Sequence, residues 1–154
     1  MNLDAVTVDI EGPDQDEVIG LIDALDAYQK PLYPLESFHG IDLKELLRPQ
    51  VLFAVARHSG RAVGCGAVVV GPEHGELKRM YVDPSCRGRG VGGQLLAFLE
   101  ETAARQGCRR FVLETGIHQR EALALYERSG YRRCGPFGSY QPDPMSVFMV
   151  KLRL

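Results

Sequence analysis

The chain has no tryptophan, and its four cysteines, Cys65, Cys86, Cys108 and Cys134, are scattered. None forms a Cys-x-x-Cys or a Cys/His pair at zinc-ligand spacing, so free thiols in a reducing compartment are expected rather than a disulfide framework. The histidines, His39, His58, His74 and His118, form no metal-binding array, and no metal is expected. Basic residues are not in excess: 18 Lys and Arg stand against 20 Asp and Glu, for a formal net charge of -2. That balance argues against a nucleic-acid partner, whose footprint is strongly basic. No apolar run approaches the ~20 residues of a membrane span. Met1-Asn2-Leu3-Asp4-Ala5-Val6 lacks the basic and apolar regions of a secretory signal. A cytoplasmic protein without a membrane partner is the expectation. Repeats, low-complexity tracts and linkers are also missing, so residues 1–154 read as a single domain. A chain of this size buries about two-thirds of its unfolded surface and needs no staples.

What is present is clear hydrophobic periodicity. Val6, Val8 and Ile10 alternate with polar residues and predict a strand over 3–10. A helix starts at Asp14, with Val18, Leu21, Ile22 and Leu25 on one face, and Pro31 and Pro34 break it. A short helix over 41–47 stops before Pro49. Strands follow over 51–57 and 61–70, joined by a hairpin turn at Ser59-Gly60, and then over 76–82, ended by Asp83-Pro84. A helix over 91–106 carries Leu95, Leu96 and Leu99 on one face and is capped by Gly107. A strand over 110–115, a helix over 121–129 and strands over 131–134 and 147–152 complete the order β-α-α-β-β-β-α-β-α-β-β. Short turns predict antiparallel pairing of the three central strands, and the crossover helix predicts parallel pairing of its flanking strands. The class is α/β (α+β), a mixed, mostly antiparallel sheet with helices packed against it.

The most chemically pointed segment is Arg87-Gly88-Arg89-Gly90-Val91-Gly92-Gly93, between a strand and a long amphipathic helix. Glycines at 88, 90 and 92 let the backbone turn sharply and leave its N–H groups uncovered. Those donors beside a helix N-terminus form an anion site, and Arg87 and Arg89 add charge, so a diphosphate is the expected guest. A P-loop is excluded, because Gln94 and Leu95 stand where Lys and Ser/Thr are required. A dinucleotide fingerprint is literally present at Gly88, Gly90 and Gly93, with Glu114 ending the next strand as a ribose ligand. Against it, Asp83-Pro84-Ser85-Cys86-Arg87 separates the strand from the first glycine, and about 75 residues of other elements precede a motif that usually opens a βαβαβ unit.

The loop resembles the (Arg/Gln)-x-x-Gly-x-(Gly/Ala) pattern of the Gcn5-related N-acetyltransferases, the GNAT family, at Arg87, Gly90 and Gly92. Glu76-Leu77-Lys78-Arg79-Met80-Tyr81-Val82-Asp83-Pro84 is similar to that family's fourth strand. Gln119-Arg120-Glu121-Ala122-Leu123-Ala124-Leu125-Tyr126-Glu127-Arg128-Ser129-Gly130-Tyr131 resembles its Asn-x-x-Ala-x-x-Leu-Tyr-x-x-x-Gly-Phe, with Gln119 for Asn and Tyr131 for Phe. Glu36-Ser37-Phe38-His39 and Pro136-Phe137-Gly138-Ser139-Tyr140 resemble a bacterial branch of small GNAT proteins. The resemblance spans the chain, with its sharp motifs between Glu76 and Tyr131.

The resemblance implies a fourth and fifth strand that run parallel and splay apart, with acetyl-CoA as donor. Its pantetheine arm would lie along Met80, Tyr81 and Val82. Its diphosphate would rest on Arg87, Gly88, Arg89, Gly90, Val91, Gly92 and Gly93, with Gln119 completing the site. It also implies that Glu76, eleven residues before Arg87, accepts the amine proton. Tyr126 would protonate the leaving thiolate, since a phenol of pKa ~10 matches a thiol in basicity. No acyl-enzyme is required, because the thioester is already activated, and Cys86 has no sequence-local His to serve it. Tyr33, His39, Lys78, Arg79 and Tyr140 are expected around the acceptor. Strict alternation puts Lys78 on the face of Glu76 and Arg79 on the other unless a bulge intervenes. The expected acceptor is a primary amine on a small metabolite such as an amino acid. Acetylation of a peptide and a non-catalytic CoA-binding module remain alternatives, and a homodimer is compatible with the sequence.

Overall fold

A computed structural model describes residues 5–37 and 41–153. Seven strands form one sheet in the order β1-β2-β3-β4-β5-β7-β6. They are β1 (Val6–Ile10), β2 (Val51–His58), β3 (Arg61–Val70), β4 (Gly75–Val82), β5 (Arg110–Gly116), β6 (Arg132–Cys134) and β7 (Ser146–Leu152). Every pairing is antiparallel except β4 with β5. The parallel pair is the one whose connection runs through a helix, as a crossover demands.

Helix α1 (Asp16–Gln29) buries Val18, Leu21, Ile22 and Leu25 and carries Asp16 and Glu17 in its first turn, where the helix dipole favours negative charge. The prolines expected to break it convert its exit into two 3-10 turns, Lys30–Leu32 and Leu35–Ser37. Helix α2 is only Leu43–Leu46, shorter than the periodicity implied, with the Asp42 carboxylate capping the Glu45 N–H. Helices α3 (Val91–Arg105) and α4 (Arg120–Arg128) lie close to expectation. The core is split by the sheet. Leu77, Leu95, Leu96, Leu99, Phe111, Leu113 and Met149 pack on the α3 and α4 side. Val18, Ile22, Leu46, Phe53 and Val55 pack on the α1 side. Glu100 of α3 is 2% exposed, accepts a 2.9 Å hydrogen bond from Tyr131 Oη, and stands 2.8 Å from Lys151 Nζ. This buried charge ties the C-terminal strand to α3.

The feature that makes a site lies in β4. Its register against β3 jumps from Ala67↔Lys78 to Cys65↔Tyr81, so Arg79 and Met80 together face Gly66. Arg79 takes φ 58°, a left-handed conformation rare for a residue with a side chain. Its guanidinium is paired with Asp26 of α1 and donates to the Ile41 carbonyl at 2.9 Å. Met80 fills the opposite side, its sulfur occupying the space a Gly66 Cβ would need. Simple alternation is therefore overturned: the extra residue brings Arg79 to the α1 side along with Glu76 and Lys78. A bulge also bends its strand and sharpens its twist. Pairing of β4 with β5 is confined to Gly75↔Phe111, Glu76↔Val112 and Leu77↔Leu113, and beyond Leu77 the two strands part.

Candidate active site

A cavity of about 550 Å³ runs from the parted strands along the N-terminus of α3 and the flank of α4. Met80, Tyr81, Val82, Arg87, Gly88, Gly90, Val91, Gly92, Gly93 and Gln119 all line it, whereas Arg89 stands exposed outside the lining. Gly88 and Gly90 turn the chain at φ +80° and +77°. Gly92 has an ordinary φ, which corrects the expectation that all three glycines serve the turn. Its Cβ would lie 2.9 Å from Leu125 Cδ2, so its role is to let α4 approach. The first bond within α3 is Gln94 N–H to the Gly90 carbonyl at 3.0 Å, which leaves the N–H groups of Val91, Gly92 and Gly93 as the open donors of a helix start. Arg87 Nη1 is 3.5 Å from a Glu121 carboxylate oxygen, and its guanidinium lies 5.8 Å from the Tyr81 ring centroid.

A second, smaller cavity of about 80 Å³ sits in the gap between β4 and β5. Leu25, Met80, Gln119, Ala122 and Tyr126 line both cavities and form their junction. Tyr126 is buried, its ring edge-on to Tyr131 at 5.9 Å. Burial, and then the negative charge of Glu114, raise the Tyr126 pKa and keep the phenol protonated. Among the described residues its hydroxyl makes no hydrogen bond.

Lys78 and Glu114 both line the small cavity. The register explains why. Glu76 and Val112 are the last partners on this face, and two residues further on Lys78 and Glu114 stand across the gap. Ser146 Oγ donates to Glu114 Oε2 at 2.7 Å. Glu76, the residue expected to take the amine proton, is not part of either cavity wall. Its Oε2 accepts from Tyr140 Oη at 2.6 Å and lies 3.1 Å from Lys78 Nζ, which itself donates to Tyr140 Oη at 2.5 Å. Burial and the adjacent Glu76 raise the Tyr140 pKa, so this phenol also stays protonated. Phe137 and Phe148 pack edge-on against the Tyr140 ring. Arg79 lines the small cavity, but its guanidinium is committed to Asp26 and Ile41. Tyr33 is on the wall, and His39 lies outside the described residues.

The residue that sequence reasoning did not place here is Glu114, weighed only as a ribose ligand in the dinucleotide alternative. The signal was available. It is the charged residue that follows the apolar run Phe111-Val112-Leu113, two positions before β5 ends at Gly116.

The Acetyltransferase (GNAT) family matches residues 13–131. The chain belongs to the GNAT family. This acetyltransferase is 47% identical over 148 residues to the IAA acetyltransferase of Azospirillum brasilense, covering 95% of this chain and 97% of that one. It is 35% identical over 94 residues to the aminoalkylphosphonate N-acetyltransferase of Salmonella typhimurium, covering 57% and 61% of the two chains. Among solved structures, an acyl-CoA N-acyltransferase of Klebsiella pneumoniae superposes with a TM-score of 0.82 at 43% identity, covering 97% of this chain and 98% of that one. A Thermoplasma acidophilum N-acetyltransferase in complex with coenzyme A shares the fold, with a TM-score of 0.74 at 15% identity over 96% and 99% of the chains. Membership makes this an acyltransferase with acetyl-CoA as co-substrate. Among the described residues of the acetyltransferase, no cluster of three His, Cys, Asp or Glu is placed to hold a metal. Among the same residues, no helix is long and apolar enough to cross a membrane.

Proposed function

We propose that this enzyme acetylates the primary amine of a small aliphatic metabolite that also bears an anionic group. The observation that carries the reading is the 80 Å³ cavity between Lys78 and Glu114, continuous at Tyr126 with the larger cavity along the glycine loop. A cavity of about 150 Å³ holds one benzene molecule, so the smaller space here suits a compact amine. In this reading acetyl-CoA lies in the larger cavity, with its diphosphate on the N–H groups of residues 88–93, and its thioester reaches the junction.

Glu114 then takes the role expected of Glu76. It attracts the incoming ammonium and takes one proton from it, and the lone pair so freed attacks the thioester carbonyl. As the C–S bond breaks, the Tyr126 hydroxyl delivers its proton to sulfur, and the second N–H proton of the adduct returns to the phenolate. Glu76 and Tyr140 instead hold Lys78, whose ammonium pairs with the acceptor's anion. A carboxylate or a phosphonate meets that need, and the name of the aminoalkylphosphonate relative accords with it. The test is a matched pair of acceptors, an amino acid against its decarboxylated amine, read by release of free thiol. The acid should be favoured by about tenfold or more, and Lys78→Met should erase that preference, since charged hydrogen bonds are worth about 1.5–3 kcal/mol. Equal turnover of both amines, unaltered by Lys78→Met, would remove the anion from the proposal.

Tyr126→Phe should lower kcat by roughly 10²-fold while leaving acetyl-CoA affinity nearly intact, in line with proton-transfer contributions of about 10²–10⁴. Because the Tyr126 pKa is raised, the wild-type rate should show no alkaline loss below the ordinary phenol range near ~10. A descending limb near neutrality that persists in Tyr126→Phe would assign the proton donor elsewhere.

A further inference from the structure

We infer that Tyr33 sets the upper size limit of the acceptor, by closing the small cavity from the link between α1 and α2. This rests on reading that cavity as the acceptor site. Tyr33 leaves the 3-10 turn Lys30–Leu32 in an extended conformation, φ -135° and ψ 148°, which carries its ring over to the turn between β5 and α4.

The ring lies directly on Gly116, where a Cβ would fall 1.7 Å from Tyr33 Oη and 1.9 Å from its Cζ. Only a residue without a side chain permits this approach. The hydroxyl is fixed in turn. It accepts from the His118 N–H at 3.1 Å and donates to Gln119 Oε1 at 3.4 Å. The same Gln119 oxygen accepts the Gly116 N–H at 3.0 Å. The ring stacks on the His118 imidazole, with centroids 5.8 Å apart and planes 26° apart. Burial raises the Tyr33 pKa, so the hydroxyl keeps its proton and both bonds.

A wall pinned at ring and hydroxyl cannot swing aside for a larger guest without losing all of these contacts. Tyr33 shares the cavity with Glu114 and Lys78, so removing its ring would add a ring's worth of space beside the reacting amine. Tyr33 is thus a specificity-determining residue that excludes aromatic amines from a site otherwise able to acetylate them.

The experiment compares kcat/KM for an arylalkyl amine and a short aliphatic amine within each variant, so that losses common to both substrates cancel. Tyr33→Ala should raise the aryl-to-aliphatic ratio by roughly tenfold or more, within the ~10–200-fold that pocket size commands. Tyr33→Phe keeps the ring on Gly116 and His118 but loses both hydroxyl bonds, and should shift the ratio less than Tyr33→Ala. Gly116→Ala displaces the ring without altering it, and should shift the ratio in the same direction as Tyr33→Ala even if that variant folds poorly. An unchanged ratio in both Tyr33→Ala and Gly116→Ala, with the aliphatic amine still turned over, overturns the role of Tyr33 and leaves the acceptor site standing. If the wild type binds acetyl-CoA but acetylates neither amine, the acceptor reading itself falls, and the inference with it.

Discussion

Gly90→Glu is expected to abolish productive binding of acetyl-CoA, with affinity falling by roughly 100-fold or more, about 2.7 kcal/mol. Gly90 sits at φ +77° immediately before α3, and its carbonyl accepts the first bond of that helix. The N–H groups of Val91, Gly92 and Gly93 follow it with no partner inside the helix, and an anion is their natural complement. A carboxylate attached at residue 90 would compete for those donors and repel a diphosphate in the same place. The substitution also imposes a left-handed conformation on a residue with a Cβ, which costs about 1–2 kcal/mol of folding stability. Gly90→Ala separates the two effects, because it carries the conformational cost without the charge. No atom lies within 4 Å of the Cβ position, so steric conflict with the protein does not confuse the comparison. Titration calorimetry with coenzyme A should show Gly90→Ala binding far better than Gly90→Glu. Unchanged affinity in Gly90→Glu would mean that the diphosphate rests elsewhere.

Glu114→Gln is expected to lower kcat/KM by about 10²–10⁴-fold at neutral pH, the range of a lost general base. Glutamine keeps the shape of the side chain and can still take the Ser146 hydrogen bond, so the loss reports on charge and proton transfer rather than packing. The sign of the pH dependence follows from the acceptor. Below the amine's pKa the substrate arrives as an ammonium and needs a proton acceptor. Above it the neutral amine attacks unaided. The ratio of wild-type to variant activity should therefore be largest at low pH and shrink as pH rises through the amine's pKa. A constant ratio across the profile would make Glu114 a positioning group. Glu76→Gln should show the weaker effect, because Glu76 faces Tyr140 and Lys78 rather than the cavity. The reverse order of the two variants would restore Glu76 as the base.

The helices and strands were legible because their apolar positions repeat with the right period, and the split between β4 and β5 was implied by the family pattern. What the pattern did not contain was phase. Alternation along Glu76-Leu77-Lys78-Arg79 holds only while each residue has one partner, and the extra residue opposite Gly66 is set by three-dimensional fit. Met80 fits where Gly66 has no side chain, and Arg79 finds Asp26 on a helix far away in the sequence. Neither event leaves a local mark. The same limit applies to the proposed proton acceptor. Glu76 and Glu114 are both strand carboxylates on the same side of the sheet, and spacing to Arg87 favours the first. Only the register shows that Glu76 lies where the strands are still zipped and Glu114 where they have opened. That Arg87, Gly88 and Gly90 would gather at one concave surface, by contrast, was legible in the sequence, because backbone freedom and charge are properties of the residue types themselves.

The bulge in β4 can also be seen as a matter of counting. Between the partners of Cys65 and Ala67 the neighbouring strand spends two residues where one would keep step. The opening in the sheet is therefore stored in the length of the chain between Lys78 and Tyr81, not in the chemistry of any one side chain there. Substitution at Arg79 or Met80 changes how firmly the opening is held, but not how many residues span it. Removal of a single residue from this stretch would leave one residue opposite Gly66 with Tyr81 still opposite Cys65, so the ladder would run without its bulge and lose the bend and added twist that come with it. Along these few positions the shape of the site depends on a count of residues, one more than the neighbouring strand supplies.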